Sequence, residues 1–397
     1  MKSLRHLYKI GNGPSSSHTM GPEYASHYFL DAAPDADSYK VVLYGSLALT
    51  GKGHLTDVSI KDVFGERNVE IVFNTDEKDL PHENTMDFFA FKNGEIVAKR
   101  RVMSIGGGDI RVEGEKSIDP PEIYSETCFK EIEDLCLARN IRLCDYVYER
   151  EDDNIKSYLA EVWQVMKAEI QAGLTTSGIL PGGLKVERVA QLLYGRRHID
   201  ESPETRQNRI VCAYAFAAAE QNASCGRIVT APTCGACAVL PAVLKYMQDT
   251  KGFSDDKIID ALAVGGLIGN IVKQNASISG AECGCQAEVG TACSMAAAAL
   301  CELFEMGIDQ IEYAAELSLE HHLGLTCDPI CGLVQIPCIE RNAVAAMRAL
   351  NALSLANFLT GTRKISFDMV VKTMYETGKD LHSSYRETSE GGLAKHY

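Results

Sequence analysis

The chain has 397 residues, 46% of them apolar and 23% charged, and its formal net charge at pH 7 is -15. This length favours two domains, and a negative field of this size disfavours binding to nucleic acid or to an anionic membrane surface. The 14 cysteines, with an N-terminus that lacks an apolar signal segment, predict a cytoplasmic protein whose thiols stay reduced.

The first part of the chain alternates short runs of β-type residues with turns. These runs predict strands at residues 39–44, 70–73, 87–91 and 95–104. Asn93-Gly94, between the last two runs, predicts a hairpin turn. Helical patterns occupy residues 22–32 and 56–64. Together these elements predict a small α+β domain over residues 1–115.

Residues 116–123 are expected to form a linker, and the pattern that follows is helical. Ser254, followed by two aspartates, predicts the start of one helix, Ser366 predicts the start of another, and Gly307 is expected to end a helix over residues 292–306. Alanine-rich stretches predict close packing between helices and favour a homodimer. The sequence therefore predicts a larger all-α domain over residues 124–397.

Irregular loops between these helices carry many of the cysteines, and Cys285, Cys327 and Cys338 stand on three separate loops. Cys285 precedes a predicted helix and Cys338 opens one, and such positions are expected to lower a thiol pKa. Three thiolates can hold a cubane cluster and leave its fourth iron open. An open Lewis-acidic metal activates a poor leaving group such as hydroxide.

Other interpretations of the cysteines stay open. Structural zinc favours two Cys-x-x-Cys knuckles, and only Cys234-Gly235-Ala236-Cys237 has that spacing. The same pair has the spacing of a thioredoxin-like motif but lacks a β-α-β context, so a fourth-ligand or core role is favoured. Cys283 and Cys331 lie close to the chosen ligands and are not excluded. Cys293 and Cys301 are interpreted as core residues.

Three polar loops of the small domain each carry a histidine. Ser15-Ser16-Ser17-His18-Thr19 is rich in donors and precedes a predicted helix, where it can hold a carboxylate; a plain serine-rich helix cap is the alternative. The other two loops hold His54 and His82. Residues 45–52 imitate a phosphate-binding loop, but their spacing is wrong and Gly53 replaces the required Ser or Thr. Because three polar loops of one small domain each carry a histidine, the three histidines are expected to share one polar site.

With these segments in view, the sequence resembles the iron–sulfur-dependent L-serine dehydratases (L-serine ammonia-lyases) over nearly its whole length. The serine-rich loop and the three cysteine loops, at their separations, carry the resemblance. It implies that Cys285, Cys327 and Cys338 hold a 4Fe-4S cluster. It also places substrate and catalytic groups on three loops, with these members: Ser15, Ser16, Ser17, His18 and Thr19; Lys52 and His54; His82, Asn84 and Thr85.

The resemblance implies an oxygen-sensitive lyase of amino-acid catabolism and gluconeogenesis that converts L-serine to pyruvate and ammonia without pyridoxal phosphate. L-serine would be its small-molecule partner, with no nucleic acid or membrane involved. A neutral histidine is a suitable base near pH 7, and His54 is the preferred candidate, with His82 and His18 as orienting or alternate groups.

One departure from the family and several rival functions leave alternatives open. Some family members end in a cysteine that reaches the open iron, whereas this sequence ends in Lys395-His396-Tyr397, so the group on that iron at rest is not predicted. Rival functions are a lyase acting on threonine or cysteine, an electron-transfer protein, and a non-catalytic amino-acid sensor.

Overall fold

A computed structural model describes residues 1–77, 79–115, 120–197, 199–359, 361, 364–388 and 390–397. It divides into a small unit, Gly11–Pro120, and a large unit that combines Met1–Ile10 with Pro121–Tyr397. Part of the predicted linker, residues 116–119, lies outside the described residues, and the predicted domain limits stay a prediction. The first ten residues belong to the large unit because Leu4, Leu7 and Tyr8 are buried in its core, which the sequence did not indicate.

The small unit is built around a five-stranded sheet. Its strands run in the order β3 (Val69–Asn74), β2 (Ser38–Tyr44), β4 (Thr85–Lys92), β5 (Glu95–Gly106) and β6 (Asp109–Val112). Strands β2 and β3 are parallel, and the other neighbouring pairs are antiparallel. The four predicted strands and both predicted helices are confirmed. In chain order the elements are β1 (Ile10–Asn12, at the boundary between the units), α1 (Gly21–Ala32), β2 (Ser38–Tyr44), α2 (Gly45–Thr50), α3 (Thr56–Phe64), β3 (Val69–Asn74), β4 (Thr85–Lys92), β5 (Glu95–Gly106) and β6 (Asp109–Val112).

Three short elements were missed, namely β1, α2 and β6, and α2 shapes a candidate site. The chain leaves β2 through Gly45, whose φ of 52° is left-handed, and enters α2 at once. A Cβ on Gly45 would lie 2.3 Å from the carbonyl oxygen of Glu83, and Ser46 N–H donates to that oxygen at 2.9 Å. The start of α2 therefore lies against the loop that precedes β4. Strand β6, which was also missed, follows the turn at Gly107 and Gly108.

Within its described residues, the large unit is helical apart from one three-residue strand, so the predicted fold class, a small α+β domain followed by a larger helical domain, is confirmed. Its elements are α4 (Phe129–Arg139), α5 (Leu143–Arg150), α6 (Ile155–Thr175), α7 (Ala190–Gly195), α8 (Pro203–Ala223), β7 (Arg227–Val229), α9 (Val239–Lys251), α10 (Asp255–Asn275), α11 (Gly280–Cys283), α12 (Thr291–Leu303), α13 (Ile308–Glu320), α14 (Cys338–Leu359), α15 (Phe367–Asp380) and α16 (Gly392–His396).

Helix α12 forms the centre of this unit, since every one of its residues is buried. Its alanines allow α9, α10, α13 and α14 to pack closely around it. Ser254 and Ser366 cap α10 and α15 as predicted. The prediction for Gly307 is wrong: α12 ends at Leu303, Glu305 takes the left-handed conformation, and Gly307 precedes α13 as its N-cap. Among the described residues, no helix has the length and apolar character to cross a membrane.

Candidate active site

Three cysteines of the large unit come together from different loops. Cys285 precedes a π-helical turn that leads into α12, Cys327 follows α13, and Cys338 is the first residue of α14. The Sγ atoms of Cys285 and Cys327 and a carboxylate oxygen of Glu288 all lie within 4.8 Å of one another. Cys338 is also buried and interacts electrostatically with Cys285. The three residues predicted as metal ligands are therefore neighbours.

The segment after α15 holds the backbone of Cys327 in place. Cys327 N–H donates to the carbonyl oxygen of Tyr385, and Glu387 N–H donates to the carbonyl oxygen of Cys327, each at 2.8 Å. These bonds pair Cys327 with Arg386 as an isolated parallel bridge. Because only backbone atoms take part, the Cys327 thiol stays available to a metal.

Arg341 links two of the cysteine loops. It lies in the first turn of α14, and its guanidinium donates to the carbonyl oxygen of Thr326 at 2.6 Å and to Asp328 Oδ1 at 2.9 Å. The other Asp328 oxygen accepts from Leu393 N–H at 2.8 Å. The Asp328 carboxylate thus ties the Cys327 loop to both α14 and α16. Burial favours the neutral form of Asp328, but the Leu393 hydrogen bond and the Arg341 guanidinium outweigh it and lower the pKa of its carboxyl.

Two carboxyl groups stand beside the thiols. Glu288 is half-buried, and Thr233 Oγ1 donates to its Oε1 at 2.7 Å. Burial raises the pKa of Glu288, and the Thr233 hydrogen bond opposes that shift. The Glu387 residue is partly in contact with solvent. Desolvation of its carboxyl, and then repulsion from Glu288, raise the pKa of that carboxyl to about 8. The site therefore combines sulfur and oxygen donors.

Two of these thiols, those of Cys327 and Cys338, resist ionisation in this environment. A hydrogen bond to Cys285, and then burial, hold the pKa of Cys327 well above its usual value. Burial, and then the nearness of Cys285, do the same for the pKa of Cys338. The predicted lowering of the pKa at the start of α14 is therefore wrong for Cys338, because burial outweighs the helix N-terminus. Bound metal would supply the positive charge that makes such thiols thiolates.

The space around the thiols suits a bound metal group. A Cβ on Gly280 would lie 3.1 Å from Cys327 Sγ and 2.6 Å from Glu288 Oε2, so a glycine keeps this wall of the recess open. Thiolates are the ligands that iron–sulfur clusters and zinc prefer. Each of the three cysteines comes from a loop of its own rather than from a Cys-x-x-Cys knuckle, and this arrangement fits a cluster better than structural zinc.

The remaining candidate cysteines are set apart by their surroundings. Cys283 is fully buried and faces α15, since a Cβ on Gly378 would lie 2.6 Å from its Sγ. Cys331 is exposed. Cys293 and Cys301 are fully buried on α12, which confirms their interpretation as core residues. The knuckle at Cys234–Ala236 is a buried 3-10 turn, and burial holds the pKa of the Cys237 thiol well above its usual value.

In the small unit, His18 and His54 form a buried pair whose ring centroids are 4.6 Å apart. Burial, and then repulsion by His54, lower the pKa of His18 to about 3; burial also lowers the pKa of His54. The Nδ1 atom of His54 lies 3.1 Å from the carbonyl oxygen of Thr50 and must donate to it. In neutral His54 the Nε2 atom therefore carries a lone pair, as a general base requires.

The other two histidines differ from His54 in their hydrogen bonds. Nδ1 and Nε2 of His18 each lie 2.9 Å from a hydroxyl, of Ser17 and Ser46 respectively, so either tautomer is satisfied. The Nδ1 atom of His82 accepts from Asn84 N–H at 3.0 Å, which puts the proton of neutral His82 on Nε2. His82 is then a hydrogen-bond donor, and His54 is the better base.

The predicted substrate-binding residues divide into two groups. Thr19 and Thr85 donate their hydroxyl protons to the carbonyl oxygens of His54 and His82, which holds those loops in place. Ser15 Oγ accepts from His18 N–H, as in the helix-cap alternative, and Ser16 opens the π-helical turn Ser16–Met20 before α1. Lys52 is exposed, with its Nζ 5.2 Å from the centre of the Phe73 ring. Asn84 Oδ1 is buried without a partner among the described residues.

Sequence reasoning missed several polar residues of these sites: Ser46, Glu288, Asp328, Arg341 and Glu387. Glu288 and Arg341 each follow a predicted ligand by three residues at the start of a helix, and that spacing alone was a usable signal. Ser46 and Glu387 carried no such signal, because loops distant in the sequence bring them to their partners.

Comparison with known proteins finds two matching families. A model described as "Serine dehydratase beta chain" matches residues 3–66, and one described as "Serine dehydratase alpha chain" matches residues 68–394. Curated relatives include L-serine dehydratase 2 of Escherichia coli (strain K12), 40% identical over 99% of this chain and 98% of the relative. L-serine dehydratase 1 of the same organism is 41% identical over 99% of each chain. The L-serine dehydratase of Streptomyces coelicolor is 39% identical over 99% and 98%.

Proposed function

The chain belongs to the serine dehydratase family, with the β-chain part before the α-chain part, and from this premise we propose that it is an L-serine ammonia-lyase. Cys285, Cys327 and Cys338 would hold a 4Fe-4S cluster with one open iron, and His54 would be the general base. The supporting observation is that three cysteines from three loops lie together beside a carboxylate.

The cluster would supply Lewis acidity, which lowers the barrier to departure of the β-hydroxyl of serine. All other tasks fall to side chains of this chain. His54 Nε2 would remove the α-proton, because its Nδ1 proton is already committed to Thr50. Loss of that proton and of the hydroxyl gives aminoacrylate and water, and aminoacrylate tautomerises and hydrolyses to pyruvate and ammonia.

The polar loops of the small unit would bind and orient. Ser15, Ser16 and Ser17 offer hydroxyls for the substrate carboxylate, with Lys52 as a nearby cation. Ser17 and Ser46 hold His18 against His54. Asn84 Oδ1, which is buried without a partner among the described residues, is available to accept a hydrogen bond from substrate. Thr19 and Thr85 would act indirectly, by fixing the backbone of His54 and of His82.

Anaerobic purification tests the function directly. The expected product is a brown protein that contains iron and sulfide in equal amounts and forms pyruvate and ammonia from L-serine. Exposure to air should remove activity and iron–sulfur absorption together, because an open iron is accessible to oxygen. Activity on threonine or cysteine with none on L-serine would replace the proposed substrate, and full activity without iron would overturn the proposal.

The pH profile should reflect the buried histidine. Burial lowers the pKa of His54, so its neutral, proton-accepting form persists to lower pH than that of a free imidazole, whose pKa is about 6.5. The acid limb of kcat/KM for the iron-loaded enzyme is therefore expected below pH 6.5. The measurement is kcat/KM for L-serine at constant ionic strength, with iron content checked at each pH. An acid limb above that value would argue against a desolvated His54 as the base.

A further inference from the structure

The carboxylate of Glu288 occupies a defined position beside the thiols. One of its oxygens lies within 4.8 Å of Cys285 Sγ and Cys327 Sγ. Thr233 fixes Oε1 through a hydrogen bond of 2.7 Å. Two glycines leave room around it: a Cβ on Gly235 would lie 3.2 Å from Oε1, and one on Gly280 would lie 2.6 Å from Oε2. The group is thus fixed at Oε1 by a hydrogen bond, and the absence of two Cβ atoms avoids a clash at either oxygen.

This carboxylate has no cation of its own. Within the part of the chain that the structure describes, no lysine or arginine lies within ion-pair distance of Glu288. Arg341 is the nearby cation and favours the charged form of Glu288 from a distance, but its guanidinium is engaged by Asp328, by the carbonyl oxygen of Thr326 and by Cys285. A partly desolvated carboxylate with no cation in contact is costly. A ligand that brings a positive group into the recess would offset that cost.

L-serine carries such a group. Its α-ammonium distinguishes it from L-glycerate, the hydroxy acid that has a hydroxyl in the same place. We infer that Glu288, oriented by Thr233, receives the α-ammonium of the substrate and makes the site select amino acids over hydroxy acids. This inference rests on the proposed function and adds to it the residue that sets substrate class. The position of Glu288, three residues after Cys285, places its carboxylate beside the thiols that would hold the cluster.

Glu288→Gln tests the inference because glutamine keeps the shape and can still accept from Thr233, but it lacks the charge. The measurement is calorimetric binding of L-serine and of L-glycerate, under anaerobic conditions, in a His54→Ala background where turnover is slow. L-serine affinity is expected to fall about tenfold to a hundredfold, since hydrogen bonds to charged groups contribute that much. L-glycerate affinity should stay the same or rise.

Glu340→Gln is the matched control. Glu340 is exposed on α14, two residues after Cys338, so its change alters net charge equally near the site without changing the recess. It should leave the preference for L-serine over L-glycerate unchanged. If Glu288→Gln proves unable to hold iron, Thr233→Val replaces it as the test. This variant keeps the carboxylate of Glu288 but removes the hydrogen bond that orients it. It should lower the preference for L-serine over L-glycerate by about threefold to tenfold.

Two results would overturn the inference. One is an unchanged preference for L-serine over L-glycerate in an iron-loaded Glu288→Gln protein. If that protein cannot hold iron, an unchanged preference in Thr233→Val has the same meaning. The other is a Mössbauer or EPR spectrum of the resting, ligand-free cluster that changes in Glu288→Gln while the preference does not, which would make Glu288 an iron ligand instead. Both differ from failure of the proposed function, in which the unmodified protein lacks iron or releases no pyruvate.

Discussion

His54→Ala is expected to retain its cluster and to lose most of its turnover. Its imidazole donates from Nδ1 to the carbonyl oxygen of Thr50, which directs the lone pair to Nε2. Removal of a general base typically lowers the rate by about 10²-fold to 10⁴-fold, and we expect kcat for L-serine to fall within that range. Iron and sulfide content should match the unmodified protein, because the predicted iron ligands are on the large unit.

His82→Ala is the comparison variant for this prediction. Because Nδ1 of His82 accepts from Asn84 N–H, the neutral ring presents an N–H at Nε2 and cannot accept a proton there. Its loss should therefore cost about tenfold, as expected for one orienting hydrogen bond. An iron-loaded His54→Ala protein with near-normal kcat, or a larger loss in His82→Ala than in His54→Ala, would reassign the base.

The histidines illustrate how far the sequence leads. Composition identified the three loops as polar and predicted that they share one site, but it could not predict the tautomers of His54 and His82. Each is set by a backbone group, the carbonyl oxygen of Thr50 and the N–H of Asn84. The sequence also gave no sign of Ser46, because only the left-handed turn at Gly45 brings α2 to His18. Backbone geometry at single residues is poorly specified by local pattern.

The cysteines illustrate the opposite case. Loop context and family resemblance selected Cys285, Cys327 and Cys338, and the structure places these three together, whereas Cys283 faces α15 and Cys331 is exposed. The sequence erred on the pKa of Cys338, because a helix start is visible in sequence and the depth of burial is not. It also did not predict that the segment around Tyr385 and Glu387 contacts Cys327, because the contact consists of backbone bonds that any residues could make.

Those backbone bonds make Cys327→Ala a sharp test of the metal site. The bonds to Tyr385 and Glu387 use only N–H and carbonyl groups, so the loop should keep its conformation without the thiol. Removal of a residue that hydrogen-bonds to a metal ligand lowers metal affinity by about 10-fold to 100-fold. Removal of a direct ligand should lower it by at least as much. The expected protein is folded by circular dichroism, colourless after anaerobic purification, and inactive on L-serine.

Cys301→Ala provides the control for Cys327→Ala, because it removes a thiol that is fully buried within α12. Its effect should be confined to a small loss of packing, with iron content and activity near normal. If both variants lost iron equally, the loss would reflect general destabilisation, and thermal unfolding of the metal-free proteins would reveal it. A colourless but fully active Cys327→Ala protein would refute the ligand assignment, because its activity could not then depend on a cluster held by that thiolate.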